Sequence, residues 1–310
     1  MERMQRRKKF RWKRFILFIS FLVVCGVSAY GVYEYKQGVS LAQDGKWKDK
    51  DKEADSFHGE DVKFGKINVL LLGSDTRGEE HARTDSIMIA HYDQDTHQPR
   101  LISIMRDTYV EIPGHGKQKI NAAYAYGGPE LLRQTIKENF DIDINYYAVV
   151  DFEGFSKITD IVAPDGIEVD VPHEMTYGIG TTINQGIQTL HGDKLLGYVR
   201  YRHDNMSDFG RVQRQQEVIG KLEDQALSVS TLIKLPKLLG VIGPYVETNM
   251  DTPTMLSLGK DLISNHSNDL KTMRIPVNGS FTNERFNNVG DVLSINLEQN
   301  NTAINKFLSS

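Results

Sequence analysis

An α/β fold, with helices on the faces of a mixed central β-sheet, is predicted by three features of this 310-residue chain. Short apolar runs ending in Gly, Ser or Asp recur from "KINVLLLGSD" onward, as buried strands leading into loops do. Amphipathic segments with helix-start residues, such as "GGPELLRQTIKENF", lie between them. The composition, 39% hydrophobic and 25% charged, is globular, and the length suffices for one large domain.

The N-terminal elements come first. Residues 1–14 hold eight Lys or Arg against Glu2, about +7, so the formal total of −4 leaves −4 − 7 = −11 on the remainder. An acidic body of this kind has no basic field for nucleic acid. "FILFISFLVVCGVSAYGVY", Phe15 to Tyr33, carries no charge over 19 positions, close to the roughly 20 that span a bilayer as a helix. Its apolar run is long and "SAY" is a poor cleavage site, so an uncleaved transmembrane anchor is expected. Lys and Arg stay on the cytoplasmic side, which places residues from about 35 onward outside the cytoplasmic membrane, in a single-pass protein. The one cysteine, Cys25, lies in the span, so the outer domain has no disulfide and no Cys-based metal site. Residues 34–66 are polar and charge-mixed and predict a hydrated stalk; residues 67–310 predict one domain.

Within that domain, strands are expected over Ile67 to Leu72, Asp85 to Tyr92 and Arg100 to Met105. A helix follows with Pro129 in its first turn and Leu132, Ile136 and Phe140 on one stripe. "NYYAVV" reads as a strand, "DFEGFSKITDIV" as a helix capped by Asp151, and "GIEVDV" as a strand. "GYVRYRH" reads as a strand and "SDFGRVQRQQEVIGKL" as a helix capped by Ser207 or Asp208. Two helices, "STLIKLPKLLGVIG" and "TPTMLSLGKDLISN", a strand at "LKTMRIPV", and a strand and helix from about Asp291 to Leu308 complete the chain.

Several residues could carry chemistry. Asp75 lies just beyond the first strand and Asp85 at the mouth of the second. Loops at strand ends of α/β sheets bind ligands, and two close carboxylates suit Mg²⁺; a solvated acidic turn is the other reading. Arg106 follows the third strand and either serves a site or pairs with Asp107 or another loop carboxylate. On a strand, Arg200 and Arg202 would share a face about 7 Å apart and repel by about 2 kcal/mol at an effective dielectric of ~20, a balance that an anion reverses. Arg211 and Gln215 share a helix face, with Arg214 beside them and Val212, Ile219 and Leu222 marking the buried stripe. Arginines in a first helical turn favour phosphate by dipole and side chain together, although Asp204, Asp208 and Glu217 offer them a surface network instead. His203 reads as a polar residue at the strand end. Taken together, the loop aspartates, Arg106 and the arginine-rich strand and helix make a site for a di-anionic or pyrophosphate group with Mg²⁺.

"GSDTR", "RTDSI", "RDTYVEIP", "KINAAYAYGG" and "YVRYRHD…DFGRVQRQQ", in this order behind an anchor, resemble the LytR-CpsA-Psr family of bacterial cell-wall assembly enzymes, closely over residues 67–225. The resemblance implies a Mg²⁺-dependent phosphotransferase that moves an anionic glycopolymer such as wall teichoic acid from undecaprenyl pyrophosphate to a peptidoglycan sugar hydroxyl, outside the membrane. It implies that Asp75 and Asp85 associate with Mg²⁺, and either of them is a candidate to help deprotonate the acceptor hydroxyl while Arg106 and the other arginines stabilise charge on the bridging and leaving oxygens. It also implies that Arg106, Arg200, Arg202, Arg211 and Gln215 bind pyrophosphate, that Arg83 is a recurrent arginine near them, and that an apolar cleft takes the polyprenyl chain. Two departures, Met105 where proline is usual and "VAPDGIEV" where a double glycine is common, touch backbone geometry and leave the charged positions intact. Hydrolysis of polyprenyl pyrophosphate is a rival chemistry for the same site. A non-catalytic, membrane-tethered lipid-binding or regulatory protein is a rival of another class, and the roughly 14 residues before the span are too few for a DNA-binding module.

Overall fold

The structure, a computed structural model, describes residues 26, 28–40, 56–63, 65–74, 84–226, 236–241, 243, 245–265 and 270–309. In chain order its strands are β1 (Lys66–Ser74), β2 (Thr84–Asp93), β3 (Gln98–Ile104), β4 (Thr108–Ile112), β5 (Gly116–Lys119), β6 (Tyr146–Asp151), β7 (Ile167–Val171), β8 (Gly186–Leu190), β9 (Val246–Thr248), β10 (Lys271–Ile275), β11 (Phe281–Phe286) and β12 (Gly290–Ile295). The helices are α1 (Ile120–Phe140), α2 (Phe152–Val162), α3 (Gly192–Arg200), α4 (Ser207–Ala226), α5 (Thr252–Asn265) and α6 (Leu297–Ser309).

A six-stranded mixed sheet in the order β10-β3-β2-β1-β6-β9 is the frame. β1 runs antiparallel to β2 and parallel to β6. Strand alternation divides its two faces. Leu70, Leu72, Ile87, Ile89 and Val149 are almost fully buried on one face against Leu132, Ile136 and Phe140 of α1 and Ile304 of α6. Leu71, Met88 and Val150 point to the other face, towards α2, α3 and α4, where the packing leaves an apolar cleft. The result is the helix-flanked mixed sheet that the alternating pattern predicts. Strands β11-β12-β4-β5 form a smaller sheet beyond β3, and the β7–β8 hairpin packs with α3 and α4 around Val169, Leu195, Tyr198 and Val218.

Local signals account for much of this. Asp151 caps α2 by accepting a hydrogen bond from Gly154 N at 2.7 Å. Gly127 and Gly128 break α1, Gly128 at φ +61°, and Pro129 opens the second segment, where its missing N–H costs nothing. Gly166, at φ +80°, closes the turn in "VAPDGIEV".

The span lies mostly outside the described residues, and the sequence and the structure differ in two other places. Of the span expected over 15–33, only residues 26 and 28–33 are described, as helix, and among the described residues no helix is long and apolar enough to cross a membrane. Part of the segment read as stalk is docked. Phe57 is 8% exposed within the main core, and Glu60 N donates to Ile144 O at 2.9 Å. The helix over residues 28–40 crosses the chain near Gly240 so closely that a Cβ on Gly38 would lie 2.2 Å from the Lys237 carbonyl oxygen. A single buried aromatic and a glycine crossing leave no periodic trace in a polar window. The second difference concerns "GYVRYRH", which is not a strand: Gly192–Arg200 is helical and Arg202 lies in the loop after it. Over the longer window, Leu195, Tyr198 and Val199 recur at helical spacing and are the residues buried.

Candidate pyrophosphate site and apolar cleft

The site is built around Asp85. Cross-strand partners run Gly73 to Ser86 and Ser74 to Thr84, so Asp85 falls at a shift in register and has no partner opposite. Thr84 Oγ1 donates to Gly73 O at 2.9 Å beside this bulge. Neighbours on a regular strand face opposite sides; the bulge lets Asp85 and Ser86 line one polar pocket.

Three arginines from separate parts of the chain reach the Asp85 carboxylate. Arg106 Nη1, just past β3, donates to Oδ1 at 2.6 Å, and Arg211 and Arg202 approach the same oxygen to 3.7 and 3.9 Å. Burial works to raise the Asp85 carboxyl, but Arg211, Arg106 and Arg202 outweigh it and hold it below the ordinary carboxylate range. Arg106 also lies 3.4 Å from Asp107 Oδ2, so both pairings foreseen for it occur together. Burial lowers the Arg106 pKa, yet Asp107 and Asp85 raise it further than burial lowers it. Arg211 is 3% exposed, and burial pulls its pKa down despite Asp208 and Asp85.

The arginines do not sit where strand and first-turn geometry predict. Arg200 ends α3, its guanidinium carbon 3.7 Å from the centroid of the Phe152 ring, and Arg202 reaches the pocket from the loop. Helix α4 begins at Ser207, so its first turn carries Asp208, not arginine, and Arg211 stands one turn further in. The i, i+4 pair itself holds: Gln215 Nε2 donates to Ser86 Oγ at 2.8 Å and to Val199 O at 3.2 Å, facing the same pocket as Arg211. Asp75 and Arg83 lie outside the described residues.

Arg214 belongs to a different network. It donates from Nε to Tyr198 O at 3.1 Å, from Nη1 to Asp204 Oδ2 at 2.7 Å, and from Nη2 to Tyr201 O. It staples α4 to the end of α3. His203 lines the pocket edge-on to the Tyr177 ring, with centroids 4.3 Å apart.

The polar pocket opens into the apolar cleft, and Gly73, Ser86, Phe152, Arg200 and Gln215 line both. The cleft encloses about 230 Å³ between the open sheet face and Phe155, Leu196, Ile219 and Leu222. Ile219 and Leu222, read from sequence as a buried stripe, are half-buried and form its wall. A cationic pocket continuous with an apolar channel suits an amphiphile with a phosphorylated head. Phe152 was missed at the sequence level because it reads as an ordinary first helical residue; an aromatic at a helix start beside a strand end is the only signal available.

The model of the LytR_cpsA_psr family matches residues 30–306 of the chain. This protein belongs to the LytR-CpsA-Psr family. Among members of that family, "Regulatory protein MsrR" of Staphylococcus aureus (strain COL) is 41% identical over 279 residues, covering 90% of this chain and 84% of that protein. "Polyisoprenyl-teichoic acid--peptidoglycan teichoic acid transferase TagU" of Bacillus mycoides is 36% identical over 259 residues, covering 82% and 83%. A solved LytR-CpsA-Psr structure described as "TagT bound to LIIa-WTA" superposes with a TM-score of 0.67 at 25% identity, covering 81% of this chain and 92% of that one.

Proposed function

We propose that this chain is a membrane-anchored phosphotransferase, acting outside the cytoplasmic membrane, that moves an anionic glycopolymer such as wall teichoic acid from undecaprenyl pyrophosphate to a peptidoglycan sugar hydroxyl. The observation that carries this reading is the continuity of the arginine pocket with the apolar cleft through Arg200 and Phe152. A polyprenyl chain would occupy the cleft and its pyrophosphate the pocket, where Arg106, Arg202 and Arg211 would exchange Asp85 for phosphate oxygens. Each charge-assisted bond contributes roughly 1.5–3 kcal/mol. A teichoic acid transferase among its relatives, and a family member seen with "LIIa-WTA", support the same substrate class.

Mg²⁺ fits the residues present. Asp85 is held ionised and directs all three of its arginine contacts through Oδ1. Mg²⁺ typically takes one or two carboxylates together with substrate phosphates and water. Asp85 and Asp75, the latter outside the described residues, would hold the ion, which would supply positive charge to the phosphate oxygens. The arginines orient the phosphates, and the cleft keeps the lipid out of water. The acceptor hydroxyl passes its proton to a site carboxylate, Asp85 or Asp75, as its oxygen bonds to the sugar-linked phosphorus; the bridging P–O bond breaks and undecaprenyl phosphate leaves with the electron pair.

The full-length chain in detergent, incubated with Mg²⁺, a lipid-linked glycopolymer and peptidoglycan, is expected to yield glycopolymer covalently linked to peptidoglycan. Absence of that product, or full activity in Arg106→Ala, would sink the reading. The regulatory name of the 41% identical relative favours a second one, a membrane-tethered lipid-binding regulator. Retention of polyprenyl pyrophosphate with no turnover under any acceptor condition would select it.

A further inference from the structure

The arginine pocket has a wall that takes no part in holding Asp85 and is not shared with the apolar cleft: Tyr177, Gly178 and His203. Tyr177 and Gly178 belong to the loop between β7 and β8. Met175 and Ile183 close this loop with a reciprocal pair of backbone hydrogen bonds, each 2.9 Å, and both side chains are buried with Ile179 in the cluster that packs the hairpin on α3. Gly178 and Gly180 make its turns at φ +76° and +72°, where a side chain would be strained. Helix α3 admits the loop at Gly197, where an added Cβ would stand 3.3 Å from Thr181. The loop is thus pinned at both ends and in the middle, and it holds Tyr177 out, 70% exposed.

His203 meets this loop from the end of α3. Tyr201 Oη donates to the His203 carbonyl oxygen at 3.0 Å and fixes the backbone there. The imidazole stands nearly perpendicular to the Tyr177 ring, at 78°, and its Nε2 would lie 3.5 Å from a Cβ on Gly178, so a bare glycine lets it rest against the loop. Among the described residues neither ring nitrogen of His203 has a hydrogen-bond partner. An exposed aromatic ring, and an imidazole with a donor and an acceptor to offer, therefore stand together at the rim of the cationic pocket.

A glycosyl pyrophosphate fits this arrangement. The pocket encloses about 140 Å³, under half of the ~300 Å³ at which ligand clefts typically begin, so it holds the phosphates and leaves the sugar they carry at its rim. A lipid that leaves through the shared wall of Phe152 and Arg200 puts the sugar on the other phosphate, and the uncharged wall remaining to it is Tyr177, Gly178 and His203. Resting on the transferase reading above, we propose that Tyr177 and His203 form the subsite for the first sugar of the donor, a pyranose joined to the pyrophosphate. The apolar face of the sugar lies on the tyrosine ring, and its hydroxyls reach the imidazole nitrogens. This contact sets the sugar-linked phosphorus against the arginines and distinguishes a glycosylated lipid from a bare one. Because the sugar departs with the acceptor, the lipid phosphate left behind lacks the contact and is held less tightly.

The test uses the full-length chain in detergent and two probes, octaprenyl pyrophosphate and octaprenyl pyrophosphoryl-N-acetylglucosamine. The parent chain is expected to bind the glycosylated probe about ten-fold more tightly, a difference within reach of one aromatic stack and its hydrogen bonds. Tyr177→Ala is expected to erase that preference while leaving the affinity for octaprenyl pyrophosphate unchanged, and Tyr177→Phe to keep it. Tyr126→Ala, which removes an exposed tyrosine stacked on His115 and lining neither cavity, is the matched control and should change neither affinity. Equal affinity of the parent chain for the two probes, or an undiminished preference in Tyr177→Ala, overturns the subsite. A Tyr177-dependent preference with no peptidoglycan adduct leaves the subsite standing while the transferase reading fails; adduct formation without any preference does the reverse.

Discussion

The Arg200 guanidinium lies over the Phe152 ring, 3.7 Å from its centroid, at the threshold where the arginine pocket becomes the apolar cleft. Stacking of this kind holds a cation against an apolar wall. The arginine fork is thereby oriented before any anion arrives. Phe152→Ala is expected to weaken polyprenyl pyrophosphate binding by about 0.5–2 kcal/mol, roughly two- to thirty-fold. Arg200→Lys keeps the charge and loses the flat stack, so it should show a similar loss. Lipid titration of both variants measures this, and unchanged affinity would remove the stack from the site.

Arg106 makes the 2.6 Å contact to Asp85 from a position half-shielded from water. Its removal is expected to lower the transfer rate about 10²–10³-fold, the usual effect of deleting one preorganised charge from a phosphoryl or acyl transfer site. Arg106→Lys should recover only part of that, because a point charge cannot serve two oxygens at once. Rates at saturating donor separate this effect from binding.

Arg214 gives a different result, because its partners are structural. Arg214→Ala leaves Asp204 and the carbonyls of Tyr198 and Tyr201 without the donors they now have. Breaking a buried pair on one side typically costs about 3–5 kcal/mol. A large fall in the denaturant midpoint is expected, whereas Arg202→Ala, which removes a partly exposed side chain 3.9 Å from Asp85, should lower stability much less. Equal destabilisation by the two would contradict this division of labour.

His91 predicts acid sensitivity far from the site. It is 4% exposed, its Nδ1 lies 2.8 Å from Asn68 Oδ1, and Asn68 Nδ2 donates to Asp143 O, so Nδ1 carries the proton and donates. Burial first, then Arg100, pulls its pKa from 6.5 to about 4. The folded state thus binds fewer protons than the unfolded state between those values, so stability is present above pH 6.5 and falls as the pH drops towards 4. The loss is on the order of 2–3 kcal/mol. Urea melts across that range should show a shallower decline for His91→Gln than for the parent chain.

The amino-acid order alone determined those features whose cause is local. Asp151 caps α2 because a short carboxylate can turn back to Gly154 N, and Arg211 and Gln215 share a face because a helix repeats every 3.6 residues. The motifs singled out Asp85, Arg200, Arg202 and Arg211, which line the pocket, because residue types and spacing are fixed in sequence. Tertiary structure decided how the cations reach one anion. The bulge at Asp85, the helical end at Arg200 and the loop position of Arg202 depend on the pairing of β1 with β2 and on the packing of α3. Within a few residues, "YVRYR" fits a strand as well as a helix, and only burial of Leu195, Tyr198 and Val199 against the β7–β8 hairpin settles which period wins. The cleft between the sheet and α2, α3 and α4 is likewise a relation between elements distant in the chain, and such a relation leaves no periodic mark on the residues that form it.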